Sequence, residues 1–105
     1  MAVLVADDTS FVQKLEENEK VVVKYHASWC GSCRLFAPKF KRLSQDDRFS
    51  GVTFLDVNTE DNPVARRLGN VRNLPTFAIF KGGELVETLT SSKEDQVVSL
   101  IDRLN

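Results

Sequence analysis

The spacing of apolar and polar positions changes several times along the chain, and each change marks an element. Val3-Leu4-Val5 reads as a short strand. Asp7, Asp8, Thr9 or Ser10 can cap a following helix that carries Phe11, Val12 and Leu15 inward. After the polar turn Asn18-Glu19-Lys20, the β-branched run Val21-Val22-Val23 continues through Lys24-Tyr25-His26-Ala27 and predicts a buried strand. Phe36, Phe40 and Leu43 then recur at i, i+4 and i+7, the single apolar stripe of a helix. That helix is expected to run to Asp46 or Asp47 and to kink at Pro38, which has no N–H and clashes with the preceding turn.

Beyond the turn Arg48-Phe49-Ser50-Gly51, Val52 to Asn58 reads as a strand. A short helix follows, with Asn62 as cap, Pro63 at the first position, and Val64, Ala65 and Leu68 inward. Gly69 is expected in the left-handed conformation that ends it. Val71 to Pro75 is a loop. Thr76 to Phe80 and Leu85 to Leu89 form a hairpin about Lys81-Gly82-Gly83-Glu84. Ser91-Ser92-Lys93-Glu94 matches a capping box, and the last helix buries Val97, Ile101 and Leu104. The order is β-α-β-α-β-α-β-β-α, with no repeat, linker or low-complexity segment.

Composition bounds the possibilities. With 105 residues, 42% hydrophobic and 28% charged, the chain suits one domain over 1–105. A formal net charge of -1 offers no field for nucleic acid or an anionic membrane. No apolar stretch nears the ~20 residues of a membrane span. Met1 to Asp8 lacks the basic and long apolar segments of a secretory signal. The expected location is the cytoplasm, or the plastid stroma if a transit peptide has been removed.

The chemistry concentrates in Trp29-Cys30-Gly31-Ser32-Cys33, which holds both cysteines and the only tryptophan. It falls where the buried strand ends and the long helix begins. The first N–H groups of a helix have no internal partner and carry partial positive charge, so a thiolate there is stabilised and its pKa falls. Cys30 is expected to be the exposed nucleophile, with Cys33 one turn further in and within reach of a disulfide. A C-x-x-C pair beside a β/α pattern signals a dithiol redox motif. A structural zinc site needs four ligands, and the chain offers only His26 and carboxylates beyond the pair, so no metal is expected.

Together with Pro38 in the same helix and Leu74-Pro75-Thr76 further on, this motif resembles the thioredoxin family over nearly the whole chain. The resemblance implies an α/β thioredoxin fold, with a mixed central sheet of four to five strands and about four helices. It implies a reductase of protein disulfides: the Cys30 thiolate attacks a client disulfide, and Cys33 resolves the mixed disulfide. No bound cofactor is expected beyond the redox-active disulfide Cys30-Cys33. The expected partners are client proteins and a thioredoxin reductase, NADPH- or ferredoxin-linked, and the expected state is a monomer. Roles in electron transport and cell redox homeostasis follow. Trp29, Gly31, Leu74 and Pro75 are the expected substrate contacts, although a tryptophan in the core has the same appearance in sequence. By resemblance the Leu74-Pro75 bond is cis and lies against the cysteines, presenting Leu74 backbone to an extended substrate. The alternatives are an enzyme tuned for disulfide oxidation or isomerisation, and a redox-sensing adaptor.

The chain departs from the family pattern in several places. Ser32 stands where proline is commonest; its N–H can point at the Cys30 sulfur and favour the dithiol form, making the protein a somewhat stronger oxidant. Six positions before Cys30 the family usually has a buried aspartate that takes the proton of the second cysteine, and here it is Lys24. The usual partner lysine aligns with Asp56. Either the two charges are exchanged and buried together, leaving the pair to accept the Cys33 proton, or Lys24 reaches out to solvent. His26 replaces an aromatic residue and either tunes thiol acidity or has no redox task. The segment Glu87 to Ser92 lacks the glycine that usually borders the substrate groove.

Overall fold

The computed structural model describes residues 2–105. Its elements are β1 (Val3–Val5), α1 (Phe11–Glu17), β2 (Lys20–His26), α2 (Gly31–Ser44), a 3-10 turn (Asp47–Phe49), β3 (Thr53–Asn58), α3 (Pro63–Leu68), β4 (Thr76–Lys81), β5 (Glu84–Thr90) and α4 (Glu94–Asp102). One five-stranded sheet runs β1-β3-β2-β4-β5. The first three strands in that order are parallel; β4 is antiparallel to β2 and β5 to β4. This is the expected α/β architecture.

The continuous apolar character of β2 follows from its central place. Side chains alternate between faces, and both faces are covered. Val22 packs with Phe36, Phe40 and Leu43 of α2 and with Val97 and Ile101 of α4. Val21, Val23 and Tyr25 pack instead with Phe11 and Leu15 of α1 and Ala65 of α3. The edge strand β5 is largely exposed and carries Glu84 and Glu87, charge that discourages pairing with another sheet. Its hairpin with β4 turns at Gly82 and Gly83, whose φ angles of 59° and 84° fit the two left-handed positions of a tight two-residue loop.

Local signals were overruled in five places. Val12 and Leu68 are exposed, because α1 and α3 leave a hollow between them that no further element fills. α2 ends at Ser44, earlier than its polar continuation suggested, with Pro38 inside it. Gly69 is not left-handed; that conformation falls to Asn70, with φ 54°. Asn62 does not cap α3 through its side chain. The Asp8 carboxylate does so from 56 residues away, accepting from Val64 N–H at 3.1 Å and Ala65 N–H at 2.8 Å. The capping box before α4 is also absent: Ser91 Oγ accepts from Lys93 N–H and donates to Gln96, and the N-cap position Lys93 makes no side-chain cap bond.

Gly69 is needed for a different reason. A Cβ there would lie 2.4 Å from the hydroxyl of Tyr25, which is fully buried and donates to Ala65 C=O at 2.8 Å. The ring is held by the core on one side and by that bond on the other, so it has nowhere to move. Gly69→Ala is expected to lower stability by about 1–3 kcal/mol through this overlap. Gly51→Ala, whose added Cβ meets nothing within 4 Å, is expected to change it by no more than about 0.5 kcal/mol. Urea midpoints at constant slope check both.

Candidate active site

β2 delivers the chain to its last ladder position at His26, and a turn closed by Cys30 N–H to Ala27 C=O, 3.1 Å, starts α2. Cys30 is the N-cap residue. Its sulfur accepts from Cys33 N–H at 3.2 Å, where a serine or aspartate oxygen more often sits. No acidic side chain occupies the first turn of α2 to offset the helix field. The two cysteines are joined in a disulfide, with Cα atoms 5.3 Å apart.

Cys30 is less open than the sequence suggested: 5% of it is exposed, against 2% of Cys33. Its neighbour Trp29 takes the solvent instead, 71% exposed. Trp29 is therefore not a core residue. Ser32 acts differently from expectation as well. Its hydroxyl, 3.6 Å from Cys30 Sγ, is the group that approaches, while the N–H aimed at that sulfur is the one on Cys33.

The turn carrying Trp29 is held by two charged residues that nothing in the sequence marked. Glu60 Oε1 accepts from Ser28 N–H at 2.7 Å, and Arg34 Nη1 donates to Ser28 C=O at 2.7 Å. These partners lie 32 and 6 positions away, so no short-range pattern identifies them. Trp29 and Leu74 line one hollow of about 310 Å³ together with Thr59, Glu60, Arg66 and Arg72. The Leu74-Pro75 bond is cis, and Pro75 is buried. Behind it, Thr76 Oγ1 donates to Asn73 C=O at 2.6 Å and lies 2.7 Å from Thr90 Oγ1 on β5.

Lys24 and Asp56 face each other across the β2–β3 ladder. Lys24 Nζ is 3.6 Å from Asp56 Oδ1, with 5% of the lysine side chain and 24% of the aspartate exposed. The lysine does not reach out to solvent; its ammonium lies 5.8 Å over the Phe40 ring. The pair lines a hollow of about 410 Å³ with Val3, Val5, Ala37 and Lys41. His26 joins it, with Nε2 3.3 Å from the same Oδ1. Among the described residues, no helix is long and apolar enough to cross a membrane, and no three metal-ligating side chains gather.

The hydrogen bond from Ser28 N–H, and after it the Ser28 side chain, hold the Glu60 carboxyl below its ordinary 4.5, with smaller help from Asn58 and the nearby His26. A depressed carboxyl stabilises the fold fully above that ordinary value, and the contribution is lost as pH falls through the folded-state value. Glu60→Gln should therefore unfold at lower urea than the parent at pH 7, and the gap should close as pH is lowered below about 4. Urea midpoints across that range check it.

The thioredoxin family model matches residues 2–103. The chain is 39% identical over 87 residues to a chloroplastic F-type thioredoxin of Mesembryanthemum crystallinum, covering 81% of this chain and 44% of that protein. It is 36% identical over 90 residues to a thioredoxin of Pyropia yezoensis, covering 85% of this chain and 83% of that one. It spans about half the length of the chloroplast relatives it matches. Among solved structures, the thioredoxin f2 of a complex with ferredoxin:thioredoxin reductase superposes with a TM-score of 0.87 at 30% identity, over 97% of this chain and 94% of that one. With its C-x-x-C pair at the start of α2 and its sheet order, the chain belongs to the thioredoxin family.

Proposed function

We propose that this chain reduces protein disulfides by dithiol–disulfide exchange. The observation that carries the proposal is the Cys30/Cys33 pair at an acid-free helix N-terminus, with the Cys30 sulfur already accepting a backbone N–H. In the reduced protein that N–H and the helix field stabilise a Cys30 thiolate. The thiolate attacks one sulfur of a client disulfide, and the other client sulfur leaves as a thiolate. Cys33 gives up its proton and attacks Cys30 Sγ, which expels the second client sulfur. Two electrons have passed to the client, and the Cys30–Cys33 disulfide remains.

Trp29, Gly31, Leu74 and Pro75 are the client contacts in this scheme. The shared hollow of Trp29 and Leu74 supports that role, as an exposed indole beside a loop backbone suits an extended chain. Asp56, paired with Lys24, takes the Cys33 proton, and the Ser32 hydroxyl adds a donor near Cys30 Sγ. A reductase resupplies electrons. The partner of thioredoxin f2 supports a ferredoxin-linked one, and the chloroplastic relatives support the plastid stroma as the compartment. These relatives favour reduction over the oxidising and isomerising alternative.

Two measurements test the scheme. The dithiothreitol-driven reduction of insulin disulfides should be lost in Cys30→Ser, while Cys33→Ser should accumulate a mixed disulfide; retained turnover by Cys30→Ser would refute the mechanism. In a double-mutant cycle, Lys24→Met and Asp56→Asn should show a stability coupling of about 1–3 kcal/mol, below that of a fully buried pair because Asp56 meets some water.

A further inference from the structure

Asp56 Oδ1 is buried and makes no hydrogen bond, yet two nitrogens converge on it, Lys24 Nζ at 3.6 Å and His26 Nε2 at 3.3 Å. Both nitrogens draw on the same carboxylate oxygen, and when both carry charge they repel each other across it. Lys24 Nζ also lies 5.8 Å over the Phe40 ring. His26 is pinned at its backbone, where its C=O accepts from Thr59 N–H at 2.8 Å and Thr59 Oγ1 at 2.9 Å. Its side chain is 27% exposed, so it meets solvent protons that the 5% exposed lysine does not.

We propose that His26 is a positioning residue for the buried pair: it holds Asp56 Oδ1 jointly with Lys24, and the charge on its imidazole sets how much of the carboxylate Lys24 keeps. With a neutral imidazole the cluster is one ammonium and one carboxylate. Once the imidazole gains a proton, a second cation competes for the same oxygen. The carboxylate is then a weaker base, and the desolvated ammonium has lost part of its counter-charge. Glu60, after β3, is within electrostatic reach of the imidazole, and Lys41 on α2 lines the same hollow as Lys24 and Asp56. Histidine is the side chain that ordinarily exchanges its proton near neutral pH. The consequence rests on the proposed role of Asp56 toward Cys33: resolution of the mixed disulfide slows, beyond the ordinary thiol effect, as His26 becomes charged.

His26 is the chain's only histidine, so its carbon-bound ring protons give one unambiguous NMR titration in the full-length oxidised protein. Relative to the parent, Lys24→Met should raise the midpoint by removing a like charge, and Asp56→Asn should lower it by removing an opposite one. Each shift should be about half a pH unit or more. If Asp56→Asn does not fold, Lys24→Met alone decides. An unmoved midpoint overturns the proposal. In stopped-flow measurements of mixed-disulfide resolution, the parent should show an additional step in the rate near neutral pH. His26→Gln, which keeps an N–H donor but does not titrate, should lack it; a profile that retains the step also overturns the proposal. The reductase scheme fails on a different result, insulin reduction retained by Cys30→Ser.

Discussion

The first turn of α2 leaves backbone N–H groups without partners inside the helix, and the Cys30 sulfur takes one of them at 3.2 Å. The other features of the site follow from keeping that sulfur there. β2 must end at the same edge of the sheet, which needs the central strand to be apolar on both faces. The turn between them must be rigid, which Glu60 and Arg34 provide by holding the two polar ends of one Ser28 peptide environment. The α2 stripe of Phe36, Phe40 and Leu43 then anchors the helix against the sheet, so its N-terminus cannot drift from the end of β2. A helix terminus is a weak electrostatic device when it is free to move. Here it is fixed at both ends of the connection.

The buried charges form a second layer behind the disulfide. Lys24, His26 and Asp56 point to the same face of the sheet as Val22 and Phe54, and so interrupt the core that α2 covers. Desolvating an ammonium is unfavourable unless it is compensated, and one partly wet carboxylate at 3.6 Å offers limited compensation. The hollow beside Val3, Val5 and Lys41 relieves this by admitting solvent to one side of the cluster. The pair is thus accommodated by geometry beside the sheet edge, where β1 is only three residues long.

What could be read from the sequence was whatever depends on neighbours along the chain. The Val21-Val22-Val23 run, the i, i+4, i+7 stripe of α2 and the Gly82-Gly83 turn each express a local period or a local conformational need. The C-x-x-C pair was equally plain, and with Leu74-Pro75-Thr76 it placed the chain in its family. Caps and glycines were legible only in part. Asn62 has the right chemistry for a cap, but a better-placed carboxylate arrives from Asp8. Gly69 sits where a helix-ending glycine belongs, yet it is required by a tyrosine ring 44 positions earlier in the chain. Exposure of Trp29, closure of Cys30 and the third member of the Lys24–Asp56 cluster depend on tertiary packing, which no spacing encodes.

The long-range cap on α3 also bears on how the molecule comes together. α3 has six residues, too few to persist as an isolated helix in water, and its two free N–H groups are satisfied only when the segment before α1 has docked. Asn62 returns the contact by accepting from Asp8 N–H at 2.9 Å, so the two segments lock reciprocally. These contacts join the first tenth of the chain to its middle, non-local pairings of the kind that slow folding. The loop that follows α3 carries Leu74 and Pro75, so the segment with the cis bond is tied through α3 to the turn before α1.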